Sequence, residues 1–453
     1  MNKHEERQKA EKINVRLIAI ELLEEIYISK AYANIALQKR LNRTRLVPVD
    51  RRFLTEIVYG TVKFTNTLDW ILAKFVSRSL NKIPSMIVNI LRLAVYQIFY
   101  MDKVPVSAAC NEAVNLAKKY SHAGTVKFVN GVLRNIIRGK EQIQFPDMQE
   151  NPSQHIALKY SHPEWLIKMW LKELGLEATI ALCQANNEVA SLSIRTNTLK
   201  ITRAELIKLL EQEEMQVRKS ALTEDGIVVE EMKNSLAQSP TFKAGLWQVQ
   251  DESSMLVADI LQPLSEKTLI DMCSAPGGKA THAAQKMKNR GKVLSFDVYE
   301  HKLALIKENA LRLGIDIIET KNQDARVFRK ELVASADYVL VDAPCSGLGV
   351  LRRRADARWR KSAADLEEFP KLQLEILKNA GQYLKAGGYM VYSTCTICTK
   401  ENQGVINSFL QEQPDFERVY IKHPVTGEDV LEVSLYPHIH GVDGFYIVKL
   451  KKK

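Results

Sequence analysis

The chain has 453 residues, is 46% hydrophobic and 26% charged, and carries a formal net charge of +11. That is too long for one ordinary core, no run of about 18 apolar residues offers a membrane span, and Met1-Asn2-Lys3-His4-Glu5-Glu6 has no apolar signal region. Six cysteines without a secretory signal fit free thiols in a reducing cytoplasm, not a disulfide framework.

The charge is unevenly placed. Residues 1–140 hold 24 Lys and Arg against 11 Asp and Glu, whereas the rest of the chain holds 40 against 42. A whole domain this basic points to a polyanion. Nucleic acid is favoured over an anionic membrane surface, because no stretch is exceptionally apolar on one face.

These 140 residues read as helices throughout. Val15–Ile26 has the three-to-four spacing of a buried face, and further helices are predicted over Asp50–Lys63, Thr67–Val76, Ser85–Tyr100, Val106–Tyr120 and Thr125–Arg138. Pro84 and Pro105 fall near helix starts, where proline is tolerated. Arg51, Arg52, Lys63, Lys127, Arg134 and Arg138 are expected on the outside. Residues 141–162, with Pro146 and Pro152, read as a linker. A small α/β element is expected over 163–244: a short helical segment, a strand over Ala190–Arg195, a helix over Thr202–Glu213 and a strand over Gly226–Glu230. From residue 245 to 453 strands and helices alternate, with strands at Thr268–Cys273, Val293–Asp297, Ile315–Glu319, Asp337–Val341, Tyr389–Ser393 and Phe445–Leu450. Alternation of this kind gives a mostly parallel, Rossmann-like sheet covered on both faces.

Open α/β sheets bind and react at the carboxyl ends of their strands, and three strand ends here carry chemistry. The first runs from Cys273 into Ser274-Ala275-Pro276-Gly277-Gly278-Lys279. It is not a Walker loop, since Cys273 stands where that loop needs glycine and Ala280 where it needs Ser or Thr. Nor is it a dinucleotide fingerprint, because Gly277 and Gly278 are adjacent. What remains is a tight turn that lets backbone approach a ligand. Asp297, at the next strand tip, is where a carboxylate grips a ribose diol, and Asp324 is placed to contact an adenine. An adenosyl ligand without phosphates is S-adenosylmethionine.

The other two strand ends carry Cys345 and Cys395. A methyl donor beside a thiol narrows the reaction. Carbon 5 of cytosine is a poor nucleophile, and a thiolate adding to carbon 6 activates it, splitting one hard step into two easier ones. Asp342 is placed to meet the N3/N4 edge of the ring and stabilise the adduct.

Cys273–Lys279, Asp342-Ala-Pro-Cys-Ser-Gly347 and Ser393-Thr-Cys-Thr396 together resemble the motif set of the RNA cytosine-C5 methyltransferases (the Nol/Nop/Sun family), over about residues 160–453. Gln250–Ser254 and Ser193–Asn197 also resemble family signatures. The helical third resembles NusB-type RNA-binding domains, closest at Ala109–Val114 and Phe128–Arg134. The resemblance implies a helical NusB-like domain, a small RNA-recognition element and a Rossmann-like catalytic domain acting on 16S ribosomal RNA. It makes Cys395 the nucleophile, where DNA enzymes would use Cys345, and gives Cys345 a part in product release. It also assigns Cys273–Lys279, Asp297, Asp324 and Asp342 to the cofactor or the target base, with Lys279 and Asp342 counted among the catalytic groups.

Cys395-Thr-Ile-Cys398 is formally C-x-x-C, but with no second pair a metal is not expected, and Cys110 and Cys183 read as core. The run Arg352-Arg353-Arg354-Ala355-Asp356-Ala357-Arg358-Trp359-Arg360-Lys361 follows the Cys345 loop; its guanidinium groups and indole suit phosphates and an unstacked base, so Arg352, Arg353, Arg354, Arg358 and Trp359 join Arg51, Arg52 and Arg134 as expected RNA contacts. The reading is of a cytoplasmic monomer away from membranes. Its rivals are a transfer-RNA methyltransferase and a non-catalytic ribosome-assembly or antitermination factor.

Overall fold

A computed structural model describes residues 14–232 and 236–453, so the opening residues Met1–Glu6 lie outside the described part. The chain divides into two compact units. One holds residues up to Asn187 together with Arg354–Arg360, the other Glu188–Arg353 with Lys361–Lys453. No helix among the described residues is long and apolar enough to cross a membrane.

The first unit is entirely helical. Asn14 caps Val15–Tyr27 by accepting from the Leu17 amide, and Pro48 starts Pro48–Lys63 at a position whose missing N–H costs nothing. Ser85–Tyr100 runs through the middle, buried at every position from Ile87 to Ile98 except Arg92, as a helix apolar on most sides requires. Around it pack Thr65–Phe75, Val106–Tyr120 and Ala123–Gly139. Ala33–Arg43 is a further helix that the sequence pattern did not reveal.

Residues 141–162 are more than the expected linker. Asn151 accepts from the Gln154 amide and starts a helix at Pro152–Lys159. Glu164–Leu174 and Leu176–Ala185 follow, and all three helices group by compactness with the first unit, which extends to Asn187.

A second correction concerns Arg358 and Trp359. The guanidinium of Arg358 is fully buried and donates to the Ser161 carbonyl and Asn187 Oδ1, both at 2.9 Å, and to the Asn186 carbonyl. Trp359 Nε1 donates to the Val62 carbonyl at 2.7 Å. What reads as a charged surface run is a structural insert of the helical unit, so these two side chains are not free for RNA.

In the second unit, strands β1 (Leu192–Thr196), β2 (Gln216–Lys219), β3 (Gly226–Glu231) and β4 (Trp247–Val249) form an antiparallel sheet in the order β2-β3-β1-β4. Ile194, Ile227 and Trp247 pack there against Leu206 and Leu210 of the helix Arg203–Gln212, which opens on a capping box between Thr202 and Glu205.

The large sheet contains β5 (Lys267–Asp271), β6 (Gly291–Asp297), β7 (Ile318–Asn322), β8 (Ala336–Asp342), β9 (Leu384–Thr394), β10 (Phe416–Arg418), then β13 (Glu432–Leu435) and β14 (Phe445–Lys452), with a small β11–β12 ribbon (Ile421–Lys422, Asp429–Val430) beside it. The order is β10-β14-β9-β8-β5-β6-β7, with β13 on β14; β5 through β9 pair in parallel and β14 runs antiparallel to β9. The inner strands carry the continuous apolar runs of a sheet buried on both faces, as in Val339-Leu340-Val341 of β8. β7 starts three residues later than expected. Gly314 ends the preceding helix with φ +74°, and the Ile315 amide closes back on Ala310, so those residues belong to the cap. From β5 the chain steps outward to β6 and β7, then returns to the other side of β5 as β8 and β9. The order reverses between β5 and β8, the place at which open α/β sheets bind their ligands.

Candidate active site

Three strand ends meet at that reversal. β5 ends at Asp271 and runs through Cys273 into the turn before the helix Gly278–Lys286. Gly277 sits at φ +96°, and a Cβ there would lie 3.2 Å from Ile306 Cα. Only glycine fits comfortably.

Beside the turn, Asp271 is 1% exposed; its Oδ1 accepts from the Cys273 amide at 3.3 Å and its Oδ2 is unbonded. Burial, reinforced by the charge of Asp342, pushes its carboxyl up to about 7. The Cys273 thiol is raised well above its ordinary range by burial and then by the charges of Asp271, Asp342, Asp297 and Asp324. These four carboxylates therefore all act on the Cys273 sulfur. Asp297 ends β6 and takes the Tyr299 amide, while Asp324, just past β7, is chelated by Arg326. A buried carboxyl with one oxygen unpaired among the described residues, a turn that favours glycine, and acidic groups on successive strand ends fit a cationic, diol-bearing cofactor.

On the other side of the reversal, Asp342 ends β8. Its Oδ2 accepts from Lys279 Nζ and its Oδ1 from Ser393 Oγ on β9, at 2.8 and 2.9 Å. Lys279 also lies 5.3 Å from the Phe445 ring centroid. Burial alone would lower its ammonium, but the charge and hydrogen bond of Asp342, then the charges of Cys395 and Asp271, raise it.

The two thiols meet here. Cys345, three residues beyond β8, and Cys395, one residue beyond β9, bring their sulfurs to 3.4 Å. The Gly349 amide donates to the Cys395 carbonyl at 3.0 Å, and the Gly444 amide donates to the Gly349 carbonyl at 2.8 Å. A Cβ on Gly349 would fall 1.9 Å from the Gly444 carbonyl oxygen, so the loops touch backbone to backbone. The Cys345 thiol is held well above its ordinary range, first by the hydrogen bond with Cys395, then by burial and by the charges of Cys395, Glu401 and Asp342.

Several contributors had no role assigned to them in the sequence, although Arg195 and Gln250 fall in segments that resemble family signatures. Arg195, fully buried on β1, donates to the Gly278 carbonyl at 2.7 Å, to Thr281 Oγ1 at 3.0 Å and to Gln250, tying the small sheet to the cofactor turn. The far end of the same helix is held by Lys286, which bridges Asp225 and Asp259 at 2.8 and 2.7 Å. Ser274, Ala275 and Pro276 fall in the turn as expected. Cys398 is buried and donates its amide to Thr396, and Cys183 is core.

Among the arginines expected on RNA, Arg352 and Arg353 share Asp443 at 2.9 and 2.6 Å, and Arg353 also donates to Asp251 and the Ser191 carbonyl. They hold the loop after Cys345 in place and are not free for phosphate. Arg51 is half-buried and donates to the Leu41 carbonyl. Arg52, Arg134 and Arg354 remain exposed.

Residues 258–451 match the family model described as 16S rRNA methyltransferase RsmB/F, residues 13–138 the NusB family, and residues 162–235 an RsmF/B-like ferredoxin-like domain. The chain is 40% identical to the probable ribosomal RNA small subunit methyltransferase B of Bacillus subtilis, over 98% of this chain and 99% of the relative. It is 36% identical to the protein of the same name in Synechocystis, over 97% and 100%. The crystal structure of PH0851 superposes with a TM-score of 0.82 at 29% identity, covering 97% of this chain and 99% of that one.

Proposed function

The chain belongs to the ribosomal RNA small subunit methyltransferase B family, and from that premise we propose that it methylates carbon 5 of a cytosine in 16S ribosomal RNA through a covalent adduct on Cys395. Its cofactor, S-adenosylmethionine, supplies the methyl group as an activated sulfonium carbon. Asp271, the turn Cys273–Lys279, Asp297 and Asp324 are the residues that would hold it.

The observation carrying the reading is the pair of sulfurs 3.4 Å apart beside the Lys279–Asp342 pair. The two thiols have different surroundings. Cys395 interacts with the Lys279 ammonium, a setting that favours a thiolate. Cys345 faces Glu401 and Asp342 and keeps its proton.

The Cys395 thiolate bonds to carbon 6, and the C5–C6 π pair moves to carbon 5, which takes the methyl group. Asp342, fixed by Lys279 and Ser393, accepts from the N4 amino group and holds the N3/N4 edge, while the Lys279 ammonium beside it offsets the negative charge that the ring takes up. Once Cys395 is bonded to carbon, its own charge and hydrogen bond no longer hold the proton on Cys345, and that proton leaves to solvent, while the charges of Glu401 and Asp342 keep the resulting thiolate a strong base. The Cys345 thiolate then removes the carbon-5 proton. The C–H pair re-forms the C5–C6 double bond, and the C6–S bond breaks with its pair returning to Cys395. The target must be unstacked to reach the sulfur, which costs roughly a few kcal/mol in a helix and less in a loop.

Bisulfite sequencing of ribosomal RNA from cells with and without the protein tests the substrate. One protected cytosine in 16S RNA should lose protection when the protein is absent; an unchanged 16S pattern with a change in a transfer RNA would overturn it. The covalent step is tested with RNA carrying 5-fluorocytosine at the target. Wild type should give a denaturation-resistant protein–RNA band and Cys395→Ala none, whereas a band from Cys395→Ala and none from Cys345→Ala would make Cys345 the nucleophile.

A further inference from the structure

Glu401 takes part in neither the cofactor turn nor the sulfur pair, yet it is fully buried between the two cysteine loops. It lies in a π-turn, Lys400–Gly404, a local widening that recurs at functional sites. Its Oε2 accepts from the Ser346 amide at 2.8 Å and from Gln373 Nε2 at 3.0 Å. Its Oε1 accepts from Ser346 Oγ and, at 3.4 Å, from Thr396 Oγ1. Ser346 is the residue after Cys345 and Thr396 the residue after Cys395; their hydroxyls also meet at 2.8 Å. One carboxylate thus gathers donors from the residues next to both thiols.

The carboxylate is itself anchored. Tyr392 on β9 donates to the Glu401 carbonyl at 2.7 Å. The neighbouring Asn402 accepts from Thr394 Oγ1 at 2.6 Å and donates to the Thr396 carbonyl at 3.0 Å. Gln373 also donates to the Pro344 carbonyl at 2.9 Å, holding the other side of the Cys345 loop. Four donors converging on one side chain need an acceptor-only group, which an ionised carboxylate is and an amide is not.

We propose that Glu401 is a positioning residue for the reaction: it fastens the Cys345 loop to the Cys395 loop and so keeps the proton-accepting sulfur over the adduct made by the other. This rests on the covalent reading given above. Because its charge also faces Cys345, Glu401 strengthens that sulfur as a base toward the carbon-5 proton. No partner of its carboxylate lies in residues 273–279 among the described residues, so cofactor binding is independent of it.

The test compares Glu401→Gln, Ser346→Ala and Cys345→Ala as full-length proteins on target RNA with S-adenosylmethionine. Glu401→Gln puts an amide donor against existing donors. It should bind S-adenosylmethionine like wild type, slow turnover by about tenfold or more, and accumulate a covalent RNA band on a denaturing gel, as Cys345→Ala does. Glu401→Asp, which keeps the charge and the acceptors, should restore part of the release rate; a role in packing alone would move neither the adduct band nor this rescue. Ser346→Ala removes the hydroxyl's bonds to Glu401 and Thr396 but keeps the Ser346 amide on Glu401, and should show the same accumulation more weakly, so it decides the matter if Glu401→Gln does not fold. If Cys345→Ala accumulates adduct while Glu401→Gln and Ser346→Ala turn over without it, the role of Glu401 is wrong and the covalent reading stands. If no variant yields an adduct and 5-fluorocytosine RNA fails to trap wild type, the covalent reading falls and this inference with it.

Discussion

Asp271 is buried with one carboxyl oxygen unbonded and its proton affinity raised to about 7, which ties stability to pH. The folded state holds this proton more tightly than the unfolded chain, whose carboxyl titrates near the ordinary 3.8. The contribution is therefore fully present below that value and is lost as pH rises to about 7. A shift of this size caps the loss at about 4 kcal/mol. Asp271→Asn should remove the dependence, so its melting temperature relative to wild type should climb between pH 5 and 8 in thermal scans; parallel curves would count against it. Asp297 is the opposite case, half-buried and, among the described residues, accepting from the local Tyr299 amide. Asp297→Ala should weaken S-adenosylmethionine binding by roughly one to two orders of magnitude, the worth of a charged hydrogen bond of about 1.5–3 kcal/mol, as read by calorimetric titration, with the melting temperature of the free protein unchanged.

At the level of elements, adjacent glycines in the cofactor turn have different tasks. Gly277 is left-handed and crowded by Ile306, whereas the nearest atom to a Cβ on the helical Gly278 is Gln250 Cδ at 3.9 Å. Gly277→Ala should cost about 1–3 kcal/mol through backbone strain and weaken cofactor binding. Gly278→Ala should leave stability within about 1 kcal/mol of wild type, since alanine is the better helix former. Denaturant melts separate the two, and equal losses would refute the assignment. The turn was legible in the sequence because it punctuates a buried strand with adjacent glycines, and the same logic located Cys345 and Cys395 beyond β8 and β9. Glu401 was not legible. Beside Lys400 it reads as one more solvated charge, and only donors from residues 346 and 373, remote in sequence, make it a buried hub. Arg195 sits in an alternating strand and declares its task only through Gly278 and Thr281, more than eighty positions away.

For the whole molecule, the surplus of positive charge in the first 140 residues was readable from composition, but which cations face outward was not. The run after Cys345 looked more RNA-like than Arg52 or Arg134, yet Arg358 and Trp359 are consumed by carbonyls of the helical unit, while Arg52 and Arg134 stay exposed. Arg52→Gln with Arg134→Gln should lower RNA affinity and flatten its dependence on salt by about 0.7–0.9 log units for each phosphate no longer neutralised, leaving S-adenosylmethionine binding unchanged. An unaltered slope in filter-binding titrations would place the RNA elsewhere.

The insert Arg354–Arg360 also sets a schedule for synthesis. Ala355 and Trp359 pack into the hydrophobic centre of the helical unit, and Arg358 closes on residues 161 to 187. The domain encoded first is thus completed by a segment that leaves the ribosome only after the cofactor turn and Cys345 have been made. Until residue 360 arrives, the nascent helices lack the packing of Ala355 and Trp359, and the Ser161 and Asn186 carbonyls await their donor. Domains generally fold as units in order of emergence; here the amino-terminal unit reaches its final form only when most of the catalytic half is already outside the tunnel.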